Sequence, residues 1–402
     1  MMGAINSNQK LNSHHTSKGA KQVCLQDFHI LRSVGRGAFG KVCIIQKKDT
    51  KHLYGLKYMS KRAIIERSAS RNVLKEVEIL KMLHHPFLVN MCYSFQDDED
   101  MFMVLDLMLG GDLRYHLNQG HLFSEEEIAL YIVEMGLALD YLHSKRILHR
   151  DIKPDNVLLD SNGHIHLTDF NIATYVPEGK IAISLSGTRP YLAPEVFLSS
   201  IGKVPGYSFE ADWWSWGVTL CELVRGKRPF HISSSSKIEA TCKLFEKDLV
   251  ILMPSNLSVS MVTLLTDLLQ TNPRKRLNSL QKLKNYQALK CLDFTSVEKQ
   301  LVAAKFTPSN DRLNCDPTYE LEEIMIESRP LHKKKRRKRR KSNTPIIPSD
   351  DPVVLSIQNL TNKFTSFQRG NFNSSEDMSS ETLEILCGVK RSPSGTPLDE
   401  ST

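Results

Sequence analysis

The chain has 402 residues, 41% of them hydrophobic and 24% charged, which is the composition of a globular protein with a full core. Its net charge of +8 is local, because residues 333–341 are nine consecutive Lys or Arg, and without them the 53 basic side chains become 44 against 45 acidic ones. This balance excludes a specific nucleic-acid-binding surface spread over the protein, and no apolar run approaches the ~20 residues of a membrane span. The eight cysteines show no metal-ligand spacing, so we expect reduced thiols in a cytoplasmic protein.

Residues 1–27 are predicted to be a flexible leader that carries a candidate lipidation site. Gly3 fits the N-myristoylation pattern if translation starts at Met2, and a start at Met1 voids the match. One myristoyl chain binds membranes weakly, and the basic run 333–341 could add about 1 kcal/mol per charge at an anionic membrane surface. The same run is typical of nuclear-import signals and of solvated charge runs, so plasma-membrane and nuclear locations both stay open.

The first elements after the leader are strand-like. From Phe28 the sequence alternates around a cluster of glycines, and the charged stretch from Ala69 to Leu83 then has its apolar residues at helical spacing. Segments 89–95 and 101–107 flank a polar turn, which predicts a β-hairpin.

Helices dominate beyond residue 110. Ser124 opens a capping box that predicts a helix to His143, and residues 210–225 and 257–270 also have helical patterns. Residues 158–170 return to strand around an Asn-Gly turn. A strand-rich unit followed by a larger helical one predicts an α+β fold of two lobes, with a ligand between them.

The composition changes again past about residue 295. Residues 295–341 have the composition of a linker or tail that ends in the basic run, and residues 342–402 are rich in Ser, Asn and Pro. Such segments cannot bury enough apolar surface to order themselves, so residues 342–402 are predicted to be mostly disordered.

The glycine cluster is a candidate phosphate-binding loop, because glycines let backbone N–H groups approach phosphate oxygens closely. A dinucleotide-binding fold would need a helix directly after the glycines, whereas this chain continues as a strand. A hairpin over phosphates therefore fits better, and an ordinary glycine-rich turn is the alternative. The candidate loop comprises Val34, Gly35, Arg36, Gly37, Ala38, Phe39, Gly40, Lys41 and Val42.

The segment LHRDIKPDN, residues 148–156, carries the catalytic candidates. Asp151 can orient a hydroxyl and accept its proton, and Lys153 can stabilise charge on a moving phosphoryl group. Asn156 offers an amide oxygen suited to Mg²⁺. A solvated polar loop is the alternative interpretation.

A second metal-binding candidate follows. Asp169 stands at the end of a predicted strand, where a carboxylate could bind a metal that bridges phosphates. Lys57, on a strand, could bind the α- and β-phosphates, and Glu76, on the charged helix, could hold Lys57 in place. Taken singly, these two residues would be interpreted as surface groups.

The ordered set of these motifs resembles the protein-kinase signature over roughly residues 28–294. Lys153 and the Gly187-Thr188 pair resemble serine/threonine kinases, and SLSGTRPYLAPE at 184–195 resembles the AGC group. Within that group, QDDEDMFMV, the DFN triplet and RLNCDPTYELEE resemble the YANK family. The resemblance implies a kinase domain with a small lobe at about 28–104 and a large lobe at about 105–294, with ATP and Mg²⁺ as cofactors and Ser/Thr-containing proteins as substrates.

The resemblance also implies roles for single residues. Asp106 and Met108 would offer backbone groups to adenine beside the gatekeeper Leu105, and Asp112 would bind the ribose. The segment DWWSWG at 212–217 would anchor the catalytic loop through a core helix. Glu195 would pair with Arg276, and a spine of side chains would comprise Leu80, Met91, His149 and Phe170.

Two positions depart from the family's pattern. Asn171 replaces the usual glycine after Asp-Phe, and we expect it to tolerate a left-handed backbone. Gly55 replaces the alanine that usually contacts adenine. Neither change removes a catalytic group, although Asn171 keeps a kinase-fold scaffold without phosphoryl transfer as the alternative.

The resemblance places regulation at Ser184, with Arg150 as the partner of its phosphate. Thr174 lies where a second cation is often found, so we expect a weaker hold on the phosphate. Phe364 and Phe367 resemble an FxxF motif that folds back on the small lobe, and a chance pair of phenylalanines is the alternative.

The substrate preference is read from acidic side chains. Asp112, Asp155 and Glu222 could favour basic residues before the phosphoacceptor, although Pro190 stands where basophilic relatives often have an acid. We expect the protein to act as a monomer.

Overall fold

The computed structural model describes residues 22–36, 40–246, 251–309, 311, 314–315 and 351–370. Gly3, the glycine-loop residues 37–39 and the basic run 333–341 lie outside these residues, so the predictions made for them stay predictions. Among the described helices, none combines the length and apolarity that crossing a membrane needs.

The small lobe is built on an antiparallel sheet of six strands in the order β1-β2-β3-β5-β4-β10. Aromatic and aliphatic side chains such as Phe28, Tyr93 and Phe102 pack on one face of this sheet. The strands are β1 (Phe28–Arg36), β2 (Gly40–Lys47), β3 (Leu53–Ser60), β4 (Met91–Gln96), β5 (Asp100–Leu105) and β10 (Phe367–Gln368).

Two helices follow β3, namely α1 (Lys61–Glu66) and α2 (Ser70–Met82). Val73, Val77 and Leu80 of α2 are all buried in the main core, as their helical spacing predicts. The helix predicted from Ala69 to Leu83 is therefore confirmed, and so is the hairpin of β4 and β5, which pairs Phe95 with Phe102.

The large lobe is mostly helical. Its longest helix, α4 (Glu125–Ser144), begins at a capping box in which Ser124 and Glu127 satisfy each other's backbone N–H groups, as predicted. The other helices are α3 (Leu113–Asn118), α5 (Pro194–Ser200), α6 (Glu210–Arg225), α7 (Ile238–Phe245), α8 (Val259–Leu268), α9 (Leu280–Leu283) and α10 (Phe294–Glu298).

Short strands carry the catalytic segments at the junction of the lobes. β7 (Val157–Leu159) and β8 (Ile165–Leu167) form the predicted hairpin, and β6 (Ile147–Leu148) pairs with β9 (Thr174–Tyr175). These two pairs hold the chain on both sides of Asp151 and Asp169, so they fix the candidate catalytic and metal-binding residues relative to each other.

Two predictions of disorder are wrong in part. Residues 22–27, at the end of the predicted leader, are ordered because Val23 and Leu25 pack on the aromatic face of the sheet. Residues 351–370, within the predicted disordered tail, form α11 (Pro352–Lys363) and β10 because Leu360 and Phe364 are buried against the small lobe. Composition alone underestimates the order of these two segments, because a few of their apolar side chains pack on a surface that distant residues form.

Candidate active site

A cavity of about 580 Å³ lies between the sheet and the large lobe. It brings together most of the nucleotide-binding residues predicted from the sequence. Its walls include Val34, Gly35, Gly40, Val42, Lys57, Glu76, Asp106, Met108, Asp112 and Asp169.

Lys57 lies at the centre of the charged groups in this cavity. Its Nζ is 2.6 Å from a carboxylate oxygen of Glu76 and 3.7 Å from one of Asp169. Burial opposes the charge of Lys57, but the two carboxylates outweigh it and raise the pKa of the ammonium above its usual value. Lys57 therefore carries its positive charge in the cavity, where phosphates could bind.

The segment Asp169-Phe170-Asn171 bends at its first residue. Asp169 has a φ of 64°, whereas Asn171 does not have a positive φ, so the expectation of a left-handed Asn171 is wrong. Phe170 packs edge-on against His149 at 5.0 Å, which holds the segment and directs the Asp169 carboxylate toward Lys57. The Asn171 amide oxygen is buried and finds no hydrogen-bond partner in the part of the chain that the structure describes.

Asp151 is surrounded by donors. Lys153 donates to its Oδ2 at 2.7 Å and Asn156 donates to the same oxygen at 3.0 Å. Thr188 donates to Oδ1 through both its backbone N–H, at 2.9 Å, and its hydroxyl, at 2.6 Å. Burial alone would raise the pKa of Asp151, but the hydrogen bonds from Lys153 and Thr188 hold it below its usual value. The carboxylate is therefore ionised near neutral pH.

Thr188 is a functional residue that the sequence reasoning used only as a marker of serine/threonine kinases. It lies 37 positions from Asp151, and no local pattern indicates this contact. The signal available was the Gly187-Thr188 pair, whose glycine has a φ of 118° and lies so close to the Arg150 carbonyl that a Cβ would clash with it.

Helix α6 positions the catalytic loop, as the sequence predicted for residues 212–217. The Asp212 carboxylate accepts hydrogen bonds from the backbone N–H groups of His149 and Arg150 and from the His143 ring. Burial raises the pKa of Asp212, but the hydrogen bond from His143 contributes most to bringing it below its usual value. A buried carboxylate thus fixes the backbone on which Asp151 follows.

The side of the cavity that the sequence analysis assigned to adenine and ribose carries two carboxyl groups with different surroundings. The Asp106 side chain accepts hydrogen bonds from the backbone and amide N–H groups of Asn90. Asp112 caps α3 by accepting from the Tyr115 N–H at 2.7 Å, and burial raises its pKa to about 6. Asp112 is therefore near its titration point in weakly acidic solution.

Arg276 and Glu195 form the predicted pair in the large lobe. Two guanidinium nitrogens lie 2.6 and 2.9 Å from the two carboxylate oxygens, and the guanidinium also donates to the Gln270 and Glu210 carbonyls. It packs over the ring of Trp214 at 5.1 Å. Both charges are almost completely enclosed, so this pair is part of the core.

Ser184 lies beside the predicted phosphate partner. An Nη of Arg150 is 2.7 Å from the Ser184 hydroxyl, and its Nε donates to the Ile172 carbonyl. A second cation that the sequence reasoning missed comes from α2, where Lys75 donates to the Thr174 hydroxyl at 2.7 Å. Burial and the nearby Arg150 lower the pKa of Lys75, as expected for a cation that lies among cations.

The tail motif lies on the small lobe. Phe364 is buried, and Phe367 begins β10, which extends the sheet beside β4. Arg369 donates to the carbonyls of Met91 and Leu83, at the sheet edge and just after α2. The two phenylalanines therefore belong to a docked segment, as the FxxF resemblance implied.

The donor set in the cavity fits a magnesium ion. Asp169 offers a carboxylate, and Asn156 has its amide nitrogen engaged with Asp151, which leaves its oxygen for a cation. Oxygen ligands, few in number and next to phosphates, are what Mg²⁺ requires of a protein.

Comparisons with known proteins agree with this geometry. The family model described as "Protein kinase domain" matches residues 28–287. Serine/threonine-protein kinase 32C of Homo sapiens is 50% identical over 368 residues, which is 90% of this chain and 76% of that protein. Serine/threonine-protein kinase 32B of Homo sapiens is 46% identical, covering 90% of this chain and 89% of that protein. The RAC family serine/threonine-protein kinase homolog of Dictyostelium discoideum is 35% identical, covering 77% and 69%.

Proposed function

The chain belongs to the protein kinase family, in the YANK family of the AGC group, and from this premise we propose that it transfers the γ-phosphoryl group of ATP to protein hydroxyls with Asp151 as the catalytic carboxylate. It is a serine/threonine protein kinase. Its substrates are serine or threonine residues of other proteins, and it acts as a monomer.

Asp151 orients the substrate hydroxyl and accepts its proton late in the transfer. Its lowered pKa keeps it ionised, so it can accept a hydrogen bond from the hydroxyl at neutral pH. Lys153, 2.7 Å from Asp151, places a positive charge beside the position of the transferred group. Positioning and electrostatic stabilisation account for most of the catalysis in this reaction class.

Lys57, held by Glu76, would bind the α- and β-phosphates of ATP. Asp169 and Asn156 would hold Mg²⁺, which neutralises phosphate charge when it is bound. The backbone of Asp106 and Met108 would contact adenine, and Asp112 the ribose, because all three residues line the cavity.

The observation that carries this proposal is the completeness of the charged set. Lys57, Glu76, Asp151, Asn156 and Asp169 are all present and oriented toward one cavity or toward each other. A kinase-fold scaffold would not need all five groups.

The experiment is ATP-dependent phosphate incorporation by purified wild type and by Asp151→Asn, with Mg²⁺ and then with Mn²⁺. Incorporation by wild type that is lost in Asp151→Asn supports phosphoryl transfer. Equal signals from the two proteins indicate a contaminating kinase. Absence of incorporation despite measurable ATP binding favours the scaffold.

Phosphorylation of Ser184 is proposed as the regulatory step. Arg150 already contacts its hydroxyl, and Lys75 lies close enough to Arg150 that burial and this charge together lower the pKa of Lys75, so two cations are available for a phosphate of charge about −2. Replacing Lys75 with Met should weaken the response to Ser184 phosphorylation and leave the activity of Ser184→Ala unchanged. Phosphosite mapping together with activity measurements of the four combinations tests this.

We propose that the protein is cytoplasmic and binds peripherally to the plasma membrane, through a lipid on Gly3 and the basic run 333–341. Nuclear import through the same run is the alternative. Fractionation of cells that express wild type or Gly3→Ala, with mass spectrometry of the leader peptide, separates the two. A wholly soluble wild type without lipid on Gly3 would refute the membrane proposal.

A further inference from the structure

Two carboxylates that the sequence assigns to substrate recognition are already bound inside the chain. Arg114, on α3, places its two terminal nitrogens 3.0 and 3.2 Å from the two carboxylate oxygens of Glu222, on α6. Its Nε is 3.4 Å from Asp155. This two-pronged arrangement is the strongest geometry between an arginine and a carboxylate.

The surroundings of this group make the pairing persistent. Tyr191 donates its hydroxyl to Glu222 at 2.6 Å and lies 2.6 Å from a nitrogen of Arg114. The Glu222 side chain is 7% exposed and that of Arg114 is 27% exposed, whereas Asp155 is 46% exposed. Glu222 therefore has no accessible face left for a substrate. If Arg114 moved away, the buried Glu222 carboxylate would lose its cation, which is strongly unfavourable.

The group lies next to the catalytic centre. It lines a cavity of about 310 Å³ whose walls also include Lys153 and Thr188, both hydrogen-bonded to Asp151. A substrate side chain that enters this cavity therefore belongs to a residue close to the phosphoacceptor.

The charge in this cavity does not favour a basic substrate residue. Arg114, Lys153 and Arg228 contribute three positive charges, against the carboxylates of Asp155 and Glu222. Arg228 donates to the Ile232 carbonyl and forms no ion pair in the described part of the chain. Lys153 is paired with the ionised Asp151, so Arg114 and Arg228 face Asp155 and Glu222 and the wall has no net negative charge to attract an arginine or lysine. A substrate cation would also lie beside the like charges of Arg114 and Arg228, which is costly at an interface.

We propose that Arg114 is a specificity-determining residue that occupies, from within the chain, the carboxylate subsite for a basic substrate residue. The kinase consequently discriminates against arginine and lysine at the substrate position read by this cavity, and accepts uncharged and acidic side chains there. This rests on the proposed phosphoryl transfer and replaces the basic preference expected from Asp155 and Glu222. Substituting Arg114 would release the two carboxylates and create a basic preference.

The experiment uses the full chain and a serine-acceptor peptide library in which each position in turn is arginine, norleucine or glutamate. The quantity measured is the ratio of arginine to norleucine phosphorylation at each position. For wild type we expect a ratio of one or less at the position read by this cavity. For Arg114→Met the ratio there should rise at least about tenfold, as expected for a hydrogen bond to a released carboxylate.

Two further variants separate released carboxylates from a general change of charge. Arg228→Met removes a cation from the same cavity without releasing a carboxylate, so its ratio should stay within about twofold of wild type. Adding Asp155→Asn to Arg114→Met should reduce the gain. In the wild-type background, Asp155→Asn should leave the ratio unchanged, and this arm does not depend on the folding of the Arg114 variant.

The outcomes are distinct. A wild type that already prefers arginine at this position, and loses the preference in Asp155→Asn, overturns the proposal. A folded Arg114→Met, or Arg114→Gln if the first is unstable, with an unchanged ratio overturns it as well. Peptide affinities measured by fluorescence anisotropy give the same ratio without turnover. Failure of the phosphoryl-transfer proposal would therefore appear separately, as absence of phosphate in every peptide.

Discussion

The ion pair in the cleft and the ion pair in the large lobe are made of similar groups at the same shortest distance. Lys57 and Glu76 are 2.6 Å apart, and so are the nearest atoms of Arg276 and Glu195. Their surroundings differ. Lys57 faces the cavity and has a second carboxylate 3.7 Å away, whereas Arg276 is fully buried and its remaining donors are bound by backbone carbonyls.

This difference separates two uses of the same chemistry. The large-lobe pair satisfies itself, so it can only hold the structure together. The cleft pair leaves the lysine with an accessible face for an incoming anion, so it can bind a phosphate. We therefore expect changes at Arg276 to affect stability most and changes at Lys57 to affect activity most.

The largest effect on stability is expected for Arg276→Met. It leaves Glu195 as an uncompensated buried charge, which should lower the free energy of unfolding by about 3–5 kcal/mol. Denaturant unfolding followed by tryptophan fluorescence measures this, because Trp214 packs against Arg276. Arg62→Met, in the exposed pair with Glu66, is the control and should have little effect. Similar losses for both variants would contradict the assignment of the large-lobe pair.

Lys57→Met should reduce activity more than it reduces stability. We expect phosphoryl transfer to fall by about 10²–10³-fold, since an electrostatic contact to the phosphates is lost. The loss of unfolding free energy should be smaller than for Arg276→Met, because the Lys57 side chain is 19% exposed to the cleft whereas that of Arg276 is fully buried. Steady-state kinetics and denaturant unfolding of the same preparations test both parts. The matched control is Lys48→Met, an exposed lysine directly after β2. A Lys57 variant that loses more stability than the Arg276 variant would contradict the assignment of the cleft pair to binding and the large-lobe pair to stability.

Asp112 sharpens the comparison because it is a carboxyl group in the cleft that no described cation pairs with. Its folded pKa of about 6 lies above the unfolded value of about 4, so its contribution to stability is complete below pH 4 and is lost as the pH rises through 6. Asp112→Asn should therefore raise the free energy of unfolding at pH 7 by about 1–2 kcal/mol. Unfolding curves at pH 5 and pH 8 should show the gain growing with pH. A gain that is the same at both pH values would refute the raised pKa.

The smallest effect is expected for Gly55→Ala, which changes the apolar wall of the cleft and no charge. A Cβ at residue 55 would lie 3.5 Å from the Asp106 carbonyl oxygen, an ordinary contact. One added methyl group against adenine should tighten ATP binding about threefold. Gly40→Ala is the contrasting control, since its Cβ would lie 1.7 Å from the Tyr58 carbonyl and β2 would have to move. Weaker binding by Gly55→Ala in a calorimetric titration would contradict the position of adenine.

The parts of the structure that the sequence predicted depend on local chemistry. Ser124 and Glu127 cap α4 three residues apart, and the apolar positions of α2 repeat with the helical period. The catalytic loop was recognisable because Asp151, Lys153 and Asn156 lie within six residues of one another. Such signals are carried by a short stretch of chain and need no knowledge of the rest.

The missed features depend on contacts between distant segments. Arg114 and Glu222 are 108 positions apart, and Lys75 and Thr174 are 99 positions apart. No local sequence pattern predicts contacts between residues so far apart in the chain. The sequence analysis expected a left-handed backbone at Asn171, but the left-handed residue is Asp169. The propensity of asparagine for this conformation gave no information on the packing of Phe170 against His149. The docking of the tail was implied only by the FxxF resemblance, because the composition of the tail is polar apart from the few side chains that are buried.

The position of β10 gives the small lobe an unusual order of assembly. The outermost strand of its sheet, Phe367–Gln368, pairs with β4, whose residues are made some 270 positions earlier. At typical rates of synthesis, this edge of β4 waits on the order of tens of seconds for its partner. During that interval its N–H and C=O groups are open to pairing with another chain, which is the usual hazard of an exposed sheet edge. A nonsense mutation after residue 315 and before residue 351 would make the temporary edge permanent, and would thereby produce a kinase domain prone to self-association while every catalytic residue is still encoded.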